Sequence, residues 1–154
     1  MRFVVKQDTF KEKTVKKYLL TLLLISLAIS ACTAGNGQAS ASILGSWKLT
    51  SFGPPSSPIP AVPDTEAGIM FNQDGTVSGN SGCNGFGGTY KVDDDRITFS
   101  QITSTLMACD EPRMSQEDVV HQVLTDTATY KIEGNTLTLT NNGMVLVFTT
   151  ASYP

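Results

Sequence analysis

The chain has 154 residues, of which 40% are hydrophobic and 16% charged, with a formal net charge of −3. Six of the eleven basic residues but only two of the fourteen acidic ones fall in the first 31 positions, so the remainder carries five basic and twelve acidic side chains, a formal charge of −7. Such a remainder suits one small domain with a modest core, and it lacks the electrostatic footprint of a nucleic-acid or anionic-lipid binder.

The first segment reads as an export signal. Arg2, Lys6, Lys11, Lys13, Lys16 and Lys17 precede an uncharged run from Tyr18 to Ala31, centred on Leu19-Leu20-Thr21-Leu22-Leu23-Leu24-Ile25. That run is short for a bilayer span and is built like a secretory signal. Ile29-Ser30-Ala31-Cys32 resembles a bacterial lipobox, an aliphatic residue and two small ones ahead of a cysteine. Residues 1–31 are therefore expected to be a lipoprotein signal peptide, cleaved before Cys32, whose thiol takes diacylglycerol and whose new amine is acylated. Ordinary cleavage near Ala31 or a retained anchor helix are the alternatives. Several acyl chains anchor stably where one is marginal. The expected location is the cell envelope, with the membrane contacted through the lipid on Cys32. Thr33 follows that cysteine, without the Asp of an inner-membrane retention signal, so in a Gram-negative cell the expected address is the outer membrane, facing the periplasm. Residues 32–42, small and polar, read as a flexible tether, and residues 43–154 as the folded domain.

Within that domain, Ile43 to Phe52 sets Trp47 and Leu49 against Lys48 and Thr50, the alternation of a half-buried strand with Trp47 in the core. Gly53 to Asp64 is rich in proline, which cannot donate to a ladder, and reads as an exposed, semi-stiff loop. Ala67–Asn72 and Thr76–Asn80 flank Asp74-Gly75, a strong hairpin signal. Gly79 to Tyr90 mixes glycines with Cys83, two asparagines, Phe86 and Tyr90, the pattern of a bent or bulged barrel strand. A plain linker would not account for Cys83, Phe86 and Tyr90. Thr89–Val92 continues the strand, Asp93-Asp94-Asp95 reads as a solvated turn, and Ile97 and Phe99 mark the next strand. The three carboxylates lack the other ligands and the turn glycine of a calcium loop.

Gln101 to Cys109 is semi-polar and stops at Asp110-Glu111-Pro112. A helix is predicted from about Ser115 to Thr125, with Ser115 as N-cap, Asp118 in the first turn, and Val119, Val120, Val123 and Leu124 as the packing stripe. Tyr130-Lys131-Ile132, Thr136–Thr140 and Met144–Phe148 read as strands joined at Gly134-Asn135 and Asn142-Gly143. Short strands and tight turns indicate an antiparallel meander that closes on itself. The expected fold is mainly β, a small antiparallel barrel with one short α-helix packed on it.

Gly82-Cys83-Asn84, Phe86, Gly88-Thr89-Tyr90, Thr105-Leu106-Met107-Ala108-Cys109 and Met114-Ser115-Gln116-Glu117 occur in that order, with Trp47 in Gly45-Ser46-Trp47-Lys48-Leu49 before them and Leu137-Thr138-Leu139 after. These blocks resemble the META domain (HslJ-type) family from about Leu44 to Phe148. The resemblance implies a lipocalin-like β-barrel in bacterial envelopes and a role in stress or antibiotic tolerance, and it supplies no reaction.

With Cys32 assigned to lipid, Cys83 and Cys109 remain, and in an oxidising compartment an even pair is expected to form a disulfide. Two buried thiols are the alternative. A nucleophilic enzyme needs a base beside the nucleophile and a group that orients it. His121 is the sole histidine, and no nucleophile elbow, zinc ligand set or phosphate-binding loop is present. The sequence thus points to a non-enzymatic monomer without catalytic residues, metal or cofactor, whose partner is an envelope protein or a small ligand. Gly82, Asn84, Thr105, Arg113 and Glu117, from the blocks that carry the resemblance, are the candidate binding residues. Asn84 could instead hold a turn, Glu117 favour the helix N-terminus, and Arg113 pair with Glu117 or Asp110. A ligand-binding barrel predicts a cavity, and an interaction module predicts a filled barrel with an exposed apolar patch. A protease-inhibitor-like module predicts a rigid exposed loop, for which the proline-rich segment is the candidate.

Overall fold

The computed structural model describes residues 42–151. The expected signal peptide, lipidated Cys32 and nearly all of the tether lie outside the described residues. Nine strands and one helix follow in chain order: β1 Gly45–Gly53, β2 Ile59–Pro60, β3 Gly68–Phe71, β4 Thr76–Asn80, β5 Gly85–Asp93, β6 Arg96–Ser104, α1 Glu111–Val123, β7 Thr127–Glu133, β8 Thr136–Asn141 and β9 Met144–Thr150. Each strand from β3 to β8 pairs antiparallel with the next, β3 pairs with β1, and β9 returns to β1 from Trp47↔Thr150 to Gly53↔Val145. Apart from β2, which adds two residues along Ser51 and Phe52, the strands close an eight-stranded antiparallel meander barrel with one helix.

Closure follows from side-chain period. Strand residues alternate between the two faces, and Trp47, Leu49, Ile69, Phe71, Val77, Ile97, Phe99, Leu137, Leu139, Leu146 and Phe148 all turn into one buried cluster. An eight-stranded barrel is just wide enough for side chains to fill its interior. Burying one such aromatic or aliphatic side chain contributes roughly 1.5–3 kcal/mol. Trp47 keeps its polar edge satisfied inside the core by donating from Nε1 to the Ile43 carbonyl at 2.8 Å.

Antiparallel connectivity divides the loops between two ends. The β3–β4, β5–β6 and β7–β8 turns sit at one end with the starts and finishes of the described chain. The segment 54–67, the turn 81–84, the long connection carrying α1 and the β8–β9 turn sit at the other. We call these the turn end and the helix end. At the turn end, Asp74 accepts from the Thr76 N–H at 2.9 Å and from its hydroxyl at 2.6 Å, ahead of Gly75 at φ 84°.

Three expectations need correction. The helix starts at Glu111, four residues before Ser115, because Asp110 is still extended and Pro112 lies in the first turn, where its missing N–H costs no hydrogen bond. It ends at Val123, with Leu124 as C-cap. Gly79 to Tyr90 is not one bent strand: Gly79 and Asn80 finish β4, residues 81–84 turn, and β5 begins at Gly85, with a register shift between Gly87 and Thr89. The semi-polar Gln101–Ser104 belongs to β6, whose Phe86↔Ser104 and Gly87↔Thr103 pairs keep it in the sheet with Ile102 alone packing on the core.

Candidate functional site

The helix end contains the buried polar residues of the described chain, Ser81, Asn84, Gln116 and Glu117. Burying such groups is costly unless each finds a partner, and here they partner one another. The turn 81–84 is closed by the Ser81 N–H donating to the Asn84 carbonyl at 2.8 Å. Gly82 within it has φ +107°, and a side chain there would run into the Gln116 amide. Its N–H donates to Asn80 Oδ1 at 2.6 Å. Glycine is required at this position by both conformation and space.

Asn84, 1% exposed, is the hub. Its Nδ2 donates to both Glu117 carboxylate oxygens, at 3.0 and 2.9 Å, and lies 3.1 Å from the Met107 carbonyl. Its Oδ1 accepts from the Thr105 hydroxyl at 2.8 Å and the Met107 N–H at 2.7 Å. Ser81 Oγ is 3.1 Å from Glu117 Oε2, and His121 Nε2 approaches Glu117 Oε1 at 3.4 Å from one helical turn on. Gln116, fully buried, accepts from the Val62 N–H at 2.8 Å and donates to the Ser81 carbonyl at 2.6 Å. Gln116 and Glu117 of α1 thereby tie the 54–67 segment to the 81–84 turn, and Asn84 of that turn ties in Thr105 and Met107. The Cys83–Cys109 disulfide closes the same junction covalently.

Chemically this is a fastening device. Ser81, Glu117 and His121 lie in a row, but the carboxylate is in the middle and Ser81 is fully buried. The imidazole therefore has no hydroxyl to deprotonate, and a substrate has no route to Ser81. Among the described residues no group of three or more His, Cys, Asp or Glu is placed to hold a metal ion. What the junction presents to solvent is the segment it fastens. Thr105–Asp110 has neither helical nor strand structure, and at its crest Leu106 is 93% exposed and Met107 57%.

Of the sequence-predicted residues, Gly82, Asn84, Thr105 and Glu117 meet at this junction. Arg113 does not join them. Its Nε, buried although the side chain as a whole is partly exposed, lies 3.5 Å from Asp110 Oδ1 without the alignment of a hydrogen bond. Sequence reading missed Ser81 and Gln116, although Gln116 sits beside Glu117 in the Met114–Glu117 block. A separate open concavity of about 680 Å³ lies on the barrel wall over β1, β3 and β4, bordered by Lys48, Glu66, Met70 and Asn80.

A family model described as META domain matches residues 41–153. No curated protein matches the chain. Among solved structures, it is similar to a protein from Burkholderia xenovorans at 22% identity and TM-score 0.58, covering 71% of this chain and 83% of that one. A DUF4847 family protein from Bacteroides vulgatus aligns at 18% identity and TM-score 0.51, covering 71% and 94% respectively. These likenesses extend to the fold.

Proposed function

The chain belongs to the META domain family, and from that premise we propose that it is a lipid-anchored envelope protein that binds a protein partner without turnover, in support of stress or antibiotic tolerance. The anchor is Cys32, supported by the lipobox-like Ile29-Ser30-Ala31-Cys32 that ends the export signal. The observation that carries the docking role is Leu106 and Met107 standing in solvent on a segment that a disulfide and the Asn84 hydrogen bonds hold fixed. Large apolar side chains stay exposed at a cost, and holding them rigid removes the ordering penalty that weakens flexible binders. The packed interior supports an interaction module over a ligand-filled barrel.

The test is a photocross-linking residue placed at Leu106 or, as control, at Lys91 near the turn end, in cells that export and lipidate the full chain. A discrete adduct from position 106 and none from position 91 is expected. Equal labelling from both positions overturns the reading. The concavity over β1, β3 and β4 favours a second reading, capture of a small molecule on the barrel wall. Native mass spectrometry of the exported chain would then show a reproducible adduct, lost on filling the hollow with Ser78→Trp.

A further inference from the structure

We propose that Thr105–Asp110 is a peptidase-binding loop that offers the Leu106–Met107 peptide bond to the cleft of a serine endopeptidase cutting after medium-sized apolar residues. The inference rests on the helix end being a protein-docking face, and names the partner's chemistry. Endopeptidases bind a short exposed segment along their cleft, and a segment already held fixed gives up little entropy on entering it. Thr105 through Ala108 are all exposed and free of helix or strand. Among the described residues, the N–H and C=O of Leu106 make no intramolecular hydrogen bond. Those are the groups a peptidase must reach, one to pair with its cleft and the other to enter its oxyanion hole. Leu106, 93% exposed, is the side chain free to fill a specificity pocket.

The scaffold side of the bond is fastened on both flanks by one residue. Asn84 Oδ1 accepts from the Thr105 hydroxyl at 2.8 Å and from the Met107 N–H at 2.7 Å, and its Nδ2 lies 3.1 Å from the Met107 carbonyl. The Thr105 N–H donates to the Gly85 carbonyl at 3.0 Å, and Cys109 is tied to Cys83 two residues beyond Met107. This placement decides the outcome of attack. The peptidase serine oxygen adds to the Leu106 carbonyl carbon while its histidine takes the serine proton. The bond to the Met107 nitrogen breaks, and that nitrogen receives the proton. In an ordinary substrate the new amine diffuses away and water hydrolyses the acyl-enzyme. Here Asn84 and the disulfide keep the amine beside the acyl carbon, where it re-forms the peptide bond and releases the serine at high effective concentration. The loop therefore occupies the cleft and is turned over slowly.

Insertion of the same loop into a lipid surface is disfavoured by its neighbours. Asp110 ends it and Glu111 follows, and Asp64 and Glu66 flank Thr65, which lies beside Gly82 in the fastened turn. Carboxylates at that level repel anionic headgroups.

The experiment titrates the full, oxidised chain into chymotrypsin, pancreatic elastase and subtilisin, with chromogenic peptide substrates as readout and mass spectrometry to locate any cut. Inhibition of at least one enzyme is expected, at about micromolar concentration or tighter, with cleavage confined to Leu106–Met107 and slow. Leu106→Glu should weaken it about 100-fold, the scale of losing a central anchor. Leu106→Arg should transfer inhibition to trypsin. Both variants should melt with the parent, because that side chain touches little of the fold. Absence of inhibition, equal inhibition by Leu106→Glu, or rapid cutting at this bond overturns the proposal. A position-106 cross-link without inhibition leaves the docking role standing and removes the peptidase, whereas partition into anionic vesicles replaces it with lipid.

Discussion

The two ends of the barrel hold their loops by different physics. At the turn end, connections are short, and positive φ at Gly75, Asp94 and Gly134 marks their tight turns; Asn142-Gly143 is a turn of the same kind at the other end. Each such turn is local, set by two or three residues. At the helix end, residues 54–67 and 105–126 are long, and long loops do not stay fixed by turn geometry. They are fixed by partners far apart in sequence: Gln116 holds Val62, and Asn84 holds Thr105 and Met107. The contrast teaches that rigidity at the helix end is concentrated in a few buried polar groups, so single substitutions there should cost far more than at the turn end.

Asn84→Ala should give the largest effect. It strips Glu117 of its two amide contacts and leaves Thr105 and Met107 without their acceptor. Leaving several buried groups short of a hydrogen bond costs about 1–3 kcal/mol for each, and more for a carboxylate, so the urea midpoint should fall well below that of the parent. An unchanged midpoint would mean the junction is not the fastening point. Removing the disulfide as Cys83→Ser with Cys109→Ser comes next. Cross-links across a separation of 26 residues contribute about 3.5 kcal/mol by the chain-entropy model. Hydrogen exchange should rise at Leu106–Ala108 before it rises in the barrel strands.

Gln116→Ala removes the acceptor for the Val62 N–H and the donor to the Ser81 carbonyl, at about 1–3 kcal/mol. Its signature is selective: protection lost around Val62 and Ser81, with the turn end unaffected. At the turn end itself, Gly134→Ala meets open space and only the strain of φ +58°, about 1 kcal/mol. If this change proved as costly as Asn84→Ala, the asymmetry between the ends would be gone.

The same asymmetry explains what could be read in the sequence. The barrel was legible because its signals are local: alternation in Gly45–Gly53 and Thr136–Asn141, and turn pairs such as Asp74-Gly75. Family membership was legible because its blocks stand in order. The helix start was misread, since Ser115 looks like a cap and Pro112 like a break, although Pro112 behind an extended Asp110 is itself a start signal. Strand Gln101–Ser104 was hidden because Ile102 is its one apolar residue on the core, and pairing with β5 does the rest. At the junction, Asn84, Thr105 and Glu117 were found through the resemblance, yet their partnership is non-local. Ser81 and Gln116 carry no short-range mark, and the exposure of Leu106 runs against its composition. The proline-rich segment is exposed over residues 54–60 and held by β2 and by Gln116, and Thr105–Asp110 is a second fixed, exposed loop, held by Asn84 and the disulfide.

The smallest effect tests whether the turn end is as local as its geometry suggests. Tyr90 donates from its hydroxyl to the Asn72 carbonyl at 2.8 Å, and Asp74 lies in the same β3–β4 turn. Burial first, and then the negative charge of Asp74, push the Tyr90 phenol above its ordinary value. The fold therefore favours the neutral phenol. That contribution is complete below the unfolded value, near pH 10, and is lost as pH rises through the folded value. Asp74 behaves oppositely. Hydrogen bonds from the Thr76 side chain first, and then its backbone, hold the carboxylate below its usual range. Its contribution is present above about pH 4 and is lost as pH falls through the folded value. Tyr90→Phe should thus flatten the alkaline side of the melting-temperature profile and leave the acid side alone, and Asp74→Asn should act mainly on the acid side. Because Asp74 also repels the phenolate, the double variant should lose less alkaline sensitivity than the two single changes added together. Simple additivity would show that the two groups do not sense each other, and that each residue of this turn acts alone.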